Sequence, residues 1–139
     1  MSLSTSESFL VTETKMRDVM TAAPHTIEES ATIAEAHEAM RRYRCRHLPV
    51  VSYGVLSGIV SERDLFLVES LVGAGNSLDL VRDAMNPNVY TTTMDAKLRD
   101  VARVMAAEKY GSAVVMDGAK IAGIFTATGA FRHLVAALR

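Results

Sequence analysis

The hydrophobic positions of this chain change their spacing several times in a fixed order. After a short extended segment at 26–27, apolar side chains recur every three or four positions over 33–40, which predicts a helix. Two short apolar runs at 47–51 and 55–60 predict strands joined by a turn. Helical spacing returns over 65–72. The predicted order is therefore strand, helix, strand, strand, helix.

The same order returns 65 residues further along the chain. Without any gap, this offset also aligns Arg-Asp-Val-Met at 17–20 with Arg-Asp-Ala-Met at 82–85. Such self-similarity predicts an internal duplication. The predicted helices and strands of the second copy cover 98–105, 112–116, 120–125 and 131–138.

The duplication predicts both the domain organisation and the fold class. Each copy has an apolar sheet face and helix stripes that are too small to bury alone. We therefore predict an α/β (α+β) fold in which two pseudo-symmetric β-α-β-β-α repeats pack through their sheets. The predicted segments are a flexible N-terminal tail at 1–15, repeat 1 at 16–72, a linker at 73–80 and repeat 2 at 81–139.

Composition narrows the class of protein further. No apolar run approaches the ~20 residues that span a bilayer, and Cys45 is the only cysteine, which favours a cytoplasmic protein. A net charge of −1 argues against nucleic acid as a partner. We find no metal-ligand spacing, no phosphate-binding loop and no nucleophile beside a base. These observations predict a protein that is not an enzyme and needs no metal.

The stretch 58–64, with the sequence Gly-Ile-Val-Ser-Glu-Arg-Asp, is the candidate functional site. It places Ser61 at a strand end and Asp64 three residues later, at the expected start of a helix. A Ser and an acid at this spacing can simply cap the helix, a contribution of about 1 kcal/mol. Spacing alone favours that interpretation, whereas the repeat context favours ligand binding, and the two roles are compatible.

These motifs resemble the cystathionine-β-synthase (CBS) domain family, in which tandem copies form a Bateman module. The resemblance covers 16–137 and rests on 17–20 before a Pro turn, on Arg-His-Leu-Pro-Val-Val at 46–51, and on 58–64. It implies a regulatory module whose cleft between the two repeats binds an adenosine-containing ligand. The implied ligands are AMP, ADP, ATP, S-adenosylmethionine or NAD, acting as regulators and not as required cofactors.

The resemblance also implies roles for individual residues. Asp64 would accept hydrogen bonds from the ribose hydroxyls, and Ser61 would contact ribose or phosphate. We also expect the start of the helix near Glu62 to offer free N–H groups to a phosphate. The other implied contacts are to adenine at Thr26, Ile27, Val50 and Ile59, and to phosphate at Arg46 and His47.

The second copy departs from this pattern. Gly129 replaces the acid, and Gly-Ser at 111–112 replaces Arg-His at 46–47, so that Thr126 alone remains. We therefore predict one competent site, around Asp64. The alternative is a partner-binding or oligomerisation module without nucleotide sensing. In either case we expect a regulated partner protein. Because tandem modules of this family often pair, we also expect a homodimer, formed through an apolar helix face such as Leu65, Leu67, Val68 and Leu71.

Overall fold

The structure is a computed structural model that describes residues 13–72 and 79–138. Most of the predicted flexible tail, and most of the predicted linker at 73–80, therefore lie outside the described residues. Where the tail is described, it is hydrogen-bonded, because the carbonyl of Thr14 accepts the N–H of Leu98 at 2.8 Å.

The predicted order of strand, helix, strand, strand, helix occurs twice along the described residues, with two short helices and one short strand in addition. The helices are α1 (Met16–Val19), α2 (Ile33–Tyr43), α3 (Glu62–Val72), α4 (Val81–Ala84), α5 (Leu98–Glu108) and α6 (Ala127–Ala137). The strands are β1 (Thr21–Ala22), β2 (Ile27–Glu28), β3 (His47–Ser52), β4 (Val55–Ser61), β5 (Thr91–Thr93), β6 (Ser112–Asp117) and β7 (Lys120–Thr126).

The chain divides into two compact units. Residues Pro24–Val89 form one, which we call the Asp64 unit, and Met1–Ala23 with Tyr90–Arg139 form the other, the Thr126 unit. The sheet of the Asp64 unit has the order β2-β3-β4, and that of the Thr126 unit has the order β1-β7-β6-β5. The predicted mixed α and β fold with two sheets is confirmed, while packing of the repeats through their sheets stays a prediction.

The boundaries of these units differ from those of the sequence repeats, because the opening helix of each repeat packs in the other unit. Met16 of α1 is fully buried in the core of the Thr126 unit, together with Leu98 and Phe125. Val81 of α4 is fully buried in the core of the Asp64 unit, together with Leu65. The sequence did not predict these two short helices or their exchange.

Two glycines explain where the exchanged segments dock. A Cβ atom at Gly58 would lie 2.6 Å from Sδ of Met85, and one at Gly123 would lie 2.5 Å from Sδ of Met20. The methionine that ends each Arg-Asp-x-Met segment thus packs directly on a strand that lacks a side chain at this point. Glycine is required at 58 and 123 for this close approach.

Helix α2 supports the sheet of the Asp64 unit from one side. It begins at the N-cap Thr32, whose side chain accepts the N–H of Glu35 at 3.1 Å. Its apolar stripe enters the same core as β3, β4 and Leu65 of α3. This packing fixes the junction between β4 and α3, where the candidate site lies. The buried residues of the α2 stripe are Ile33, Ala36 and Met40.

Candidate functional site

Ser61 and Asp64 form a reciprocal pair at the junction of β4 and α3. The N–H of Asp64 donates to Oγ of Ser61 at 3.1 Å, and the N–H of Ser61 donates to Oδ2 of Asp64 at 2.9 Å. This is a capping box, so the capping role considered from the sequence is present. The other carboxylate oxygen, Oδ1, has no hydrogen bond within the described part of the chain. Asp64 therefore holds the helix start with one oxygen, while the other has no protein partner among the described residues.

The N–H groups at the start of α3 are less available than the sequence suggested. The N–H of Glu62 donates to the carbonyl of Arg46 at 2.9 Å, and that of Asp64 is taken by Ser61. The expectation of free N–H groups at this helix start is therefore wrong for these two. An anion here would depend on the helix dipole and on nearby side chains. The hydrogen bond from Glu62 holds the backbone of Arg46 against the helix start.

His47 adjoins the pair from the neighbouring strand. It lies directly opposite Ser61 in the antiparallel β3/β4 ladder. Burial lowers the pKa of His47, and the carboxylate of Asp64 partly opposes this shift by attracting the protonated ring. His47 is therefore neutral at pH 7 and lies within electrostatic reach of Asp64. Arg46 is consequently the permanent positive charge at this position.

The structure separates the three predicted apolar contacts to adenine. Val50 has 0% exposure and lies with Leu48 in the core that the helices cover. Ile27 pairs with Val50 and packs against the same core. Ile59 pairs with Pro49, and the alternation of side chains along a strand places this pair on the opposite face of the sheet. A ligand beside Ile59 would not touch the side chain of Val50.

Ile59 and Ser61 share that opposite face, because they are two positions apart on β4. The backbone of Ile59 is fixed by two hydrogen bonds to Asn86, at 3.0 and 2.8 Å. Thr26 is exposed immediately before β2. The predicted residues that the structure leaves accessible at this end of the unit are Thr26, Arg46, His47, Ile59, Ser61 and Asp64.

An aromatic pair lies next to these residues and was missed by the sequence reasoning. The rings of His25 and Tyr43 are stacked, with centroids 3.4 Å apart and planes 10° apart. His25 directly precedes Thr26, and Tyr43 lies inside the arginine-rich run 41–47. No local pattern could have found this pair, because Tyr43 ends α2 whereas His25 lies before β2, far away in the sequence. The concentration of basic and aromatic residues in the run 41–47 was nevertheless visible in the sequence.

The Thr126 unit repeats the backbone arrangement without the charges. Thr126 lies opposite Ser112 on the β6/β7 ladder, and its Oγ1 accepts the N–H of Gly129 at 3.2 Å. A Cβ atom at Gly129 would have its nearest contact at 3.6 Å, on the ring of Phe125. The backbone at this position therefore leaves room for a Cβ atom.

The described residues contain no group of three or more His, Cys, Asp or Glu side chains arranged to hold a metal ion. Over those same residues, no helix has the length and apolar character needed to cross a membrane.

Two related sheet-and-helix units, one with a charged helix start, define a tandem repeat module. The family model for the CBS domain matches residues 16–70 and 81–136. The chain belongs to the CBS domain family, as a tandem pair. Such pairs are ligand-binding regulatory modules.

Curated relatives include a CBS domain-containing protein and an enzyme. The chain is 27% identical over 109 residues to the CBS domain-containing protein YhcV of Bacillus subtilis, a match covering 78% of this chain and 77% of YhcV. It is 36% identical over 108 residues to a homoserine O-acetyltransferase of Methanocorpusculum labreanum. That match covers 77% of this chain but only 21% of the enzyme. The chain therefore spans about a fifth of this relative's length.

Two solved structures share the fold and contain adenosine compounds. CBSX2 in complex with AMP has a TM-score of 0.76 and 25% identity, covering 91% of this chain and 99% of that chain. The CBS domain pair of MJ0100 was solved with 5′-methylthioadenosine and S-adenosyl-L-methionine. It has a TM-score of 0.78 and 25% identity, covering 88% of this chain and 97% of that chain.

Proposed function

We propose that this chain is a regulatory module that binds an adenosine-containing ligand at the start of α3. The candidates are AMP, ADP and ATP, followed by S-adenosylmethionine and NAD. The observation that carries the proposal is the carboxylate of Asp64, whose Oδ2 is bonded to Ser61 while Oδ1 has no partner among the described residues. An acceptor of this kind suits the two adjacent hydroxyls of a ribose. The AMP complex of CBSX2 and the ligands of MJ0100 support an adenosine compound.

Each neighbouring group has a distinct role in this proposal. Oγ of Ser61 accepts one hydrogen bond from the N–H of Asp64 and keeps its own proton to donate to ribose or phosphate. Arg46 supplies positive charge to the phosphate. His47, which is neutral at pH 7, supplies one hydrogen bond and no charge.

Adenine would be recognised at the other end of the ligand. Ile59 offers apolar surface on the same face as Ser61, and the backbone near Thr26 offers hydrogen-bonding groups to the edge of the base. Ile27 and Val50 would act from the covered face, by holding β2 and β3 in place. We propose one ligand per chain, because Thr126 has no acid three residues after it.

Asp64→Ala tests this proposal against the capping role. We expect the variant to lose about 1 kcal/mol of stability with the cap, and to lose at least tenfold in ligand affinity with the ribose contact. Asp83→Ala is the matched control, since Oδ2 of Asp83 accepts the N–H of Leu80 at 3.1 Å, as Oδ2 of Asp64 accepts the N–H of Ser61. The measurement is calorimetry and thermal shift with AMP, ATP, NAD and S-adenosylmethionine.

The control separates the two roles of the carboxylate. Asp83→Ala should lower the melting temperature of the free protein and keep the ligand-induced rise in melting temperature. Asp64→Ala should lower the melting temperature of the free protein and also abolish the ligand-induced rise. If the folded wild-type protein binds none of the four compounds, the proposal is wrong.

A partner-binding or oligomerisation module is the second candidate, and the exposed face of α6 favours it. None of the described residues of α6 is buried, and Phe131 and Val135 are 67% and 71% exposed. On α3, Leu67 and Leu71 of the predicted interface are 59% and 76% exposed. Leu65 is instead fully buried in the core of the Asp64 unit, so its place in the predicted interface is wrong. Apolar helix faces of this kind are typical of interfaces. The proposed occupant is a second copy of this chain, giving a homodimer.

Light scattering tests the dimer. We expect the mass of two chains for the wild type, and a shift towards one chain for Phe131→Lys, because a buried cation in the interface is costly. Tyr53→Lys is the control, since Tyr53 is 98% exposed at the β3/β4 turn. A wild-type protein of single-chain mass at micromolar concentration would exclude this dimer.

The remaining parts of the proposal concern the setting of the module. A single cysteine and the absence of any disulfide partner within the chain support action in the reducing cytoplasm. The ligand-bound state would act on a partner protein, without catalysis by this chain. Binding of nucleic acid is not part of the proposal, given the net charge of −1.

A further inference from the structure

We propose that the outer edge of β4, over residues 55–57, binds an extended segment of the regulated partner protein as an added antiparallel strand. This edge lies at the other end of β4 from Ser61, and its occupation would not need a bound ligand. The evidence is a free stretch of backbone at the edge of the sheet, beside two exposed side chains that the fold itself does not explain.

β4 is an edge strand of the Asp64 unit, because the order of the sheet is β2-β3-β4. Part of its outer edge is closed, since the N–H and the carbonyl of Ile59 are bonded to Asn86 at 3.0 and 2.8 Å. Towards the β3/β4 turn, no described residue continues this pairing. A strand edge of this kind presents unpaired N–H and C=O groups and can pair with another chain.

The hairpin determines which backbone groups of β4 point outwards. Ser52 and Val55 face each other across a two-residue turn, so they form a hydrogen-bonded pair of the ladder. The N–H and the carbonyl of the next residue, Leu56, therefore point away from β3. Leu56 makes no other hydrogen bond within the described part of the chain. The edge thus offers a donor and an acceptor on one residue, as an antiparallel partner strand requires.

The equivalent edge of the Thr126 unit is occupied by a strand. β1 pairs antiparallel with β7, and the N–H of Ala23 then donates to the carbonyl of Ala122 at 3.1 Å. In the Asp64 unit Asn88 stands at the position of Ala23, and its N–H donates instead to Oδ1 of Asn86 at 2.9 Å. The carbonyl of Ser57, which is equivalent to that of Ala122, is left without this donor. β1 therefore shows the kind of occupant that the edge of β4 would take.

The side chains along the free edge are uncharged and partly apolar. Residues 52–57 have the sequence Ser-Tyr-Gly-Val-Leu-Ser, whereas the equivalent residues 117–122 have the sequence Asp-Gly-Ala-Lys-Ile-Ala. A lysine on an edge strand discourages pairing with another chain. The Thr126 unit has Lys120 at this place, but the Asp64 unit has Val55, which is 66% exposed. The edge of β4 therefore lacks the protection that the second repeat has.

The charges around this edge do not select a charged partner. The helix that packs beside β4, α4, carries one charge of each sign, on Arg82 and Asp83. Glu28 belongs to β2, at the opposite edge of the sheet. We therefore expect a partner segment without charge that places β-branched or aromatic side chains beside Val55.

Tyr53 extends the surface at the β3/β4 turn. Tyr53 and Gly54 both have positive φ, of 51° and 80°, as this type of tight turn requires. A bulky side chain is strained in this region, and Gly118 occupies the equivalent place in the second repeat, with φ of 60°. Because Tyr53 is also 98% exposed, neither the turn nor the core explains a tyrosine here. Its ring is available to cover the end of an added strand.

A selection of linear peptides on the full chain tests the inference. The probe is a phage-displayed library of random decapeptides, selected on the wild type. The comparison variant is Tyr53→Gly/Val55→Lys, which should fold because the second repeat has Gly118 and Lys120 at these places. We expect the selected peptides to be rich in β-branched and aromatic residues, and to bind the variant about tenfold or more weakly.

Two further measurements locate the bound peptide. Phe131→Lys is the matched control, because it places the same charge on the exposed apolar face of α6, and it should not change the affinity. In hydrogen exchange with a synthetic copy of the tightest peptide, the amide of Leu56 should exchange about tenfold more slowly. The amide of Ile121, the equivalent residue of β7, should be unchanged.

The contrary outcomes are distinct. If no peptide is enriched, or if the selected peptides bind the double variant as tightly as the wild type, the inference is wrong. If Phe131→Lys abolishes binding, the peptides occupy α6 and the inference is again wrong. If the wild type is a dimer that the double variant converts to single chains, the edge pairs with a second copy instead of a partner protein. None of these outcomes affects the adenosine site, which Asp64→Ala tests separately.

Discussion

At the scale of single residues, Asp64 acts on two neighbours at once. One carboxylate oxygen caps α3 through the N–H of Ser61, and the same carboxylate attracts the ring of His47. Binding of a ribose to the second oxygen would therefore occur without breaking the cap. The capping and ligand-binding interpretations of the sequence are thus compatible in this geometry.

The protonation of His47 predicts how stability depends on pH. Because the pKa of His47 is lowered in the folded protein, the folded state binds this proton more weakly than the unfolded state. The contribution to stability is therefore fully present above the unfolded value of about 6.5 and is lost as the pH falls from there through the folded pKa. His47→Gln should remove this part of the pH dependence.

Urea unfolding at pH 7.5 and 5.5 measures the effect. The wild type should lose more free energy of unfolding between these two values than His47→Gln does. His133→Gln, at an exposed position on α6, is the control and should behave as the wild type. An equal loss in His47→Gln and the wild type would contradict the prediction.

The site was only partly predictable from its residues. The Ser61 and Asp64 pair was predictable because its spacing is local. The occupied N–H of Glu62 was not, because its partner is the carbonyl of Arg46, which directly precedes β3 and is distant in sequence. The separation of Val50 from Ile59 was not predictable either, since both lie in short apolar runs that do not indicate which face the helices cover.

At the scale of elements, replacing glycine by alanine should destabilise the protein at Gly58 and Gly123 and stabilise it at Gly129. Gly58→Ala and Gly123→Ala should each cost about 1–3 kcal/mol, because the new Cβ would approach Met85 or Met20 within 2.6 or 2.5 Å. Gly129→Ala should instead stabilise the protein by about 0.5–1 kcal/mol. Its Cβ would have an ordinary contact at 3.6 Å, and alanine favours α6.

Thermal and urea unfolding of the three variants check this prediction. Gly129→Ala acts as the internal control, because it makes the same chemical change where space is available. A neutral result for Gly58→Ala would mean that the methionine moves away at little cost, and that the glycine is not required.

The longer elements were predictable because their periodicity is contained within them. Helix α2 has its N-cap Thr32 and its apolar stripe in one continuous stretch. The four-residue helices α1 and α4 have no such pattern. They are stable because Met16 and Val81 are buried against residues distant in sequence, and no local spacing reports that burial.

At the scale of the whole molecule, the exchanged helices predict which fragments fold. Fragment 24–89 contains the complete Asp64 unit, whereas the equally long fragment 7–72 contains repeat 1 without Val81 and Met85. We expect a cooperative thermal transition, followed by circular dichroism, for 24–89 and none for 7–72. Removing α4 uncovers the core around Leu65 and leaves Gly58 without its methionine. Equal folding of both fragments would contradict the exchange.

The exchange also affects how inherited variation in this chain should be interpreted. A harmful substitution at Val81 lies in the sequence of repeat 2, yet it would damage the core that supports Asp64. A substitution at Met16 lies in repeat 1 and would leave that core untouched. If the effects of substitutions are grouped by sequence repeat, both defects are assigned to the wrong structural unit. Grouping them by the unit boundaries at Pro24 and Tyr90 assigns both correctly.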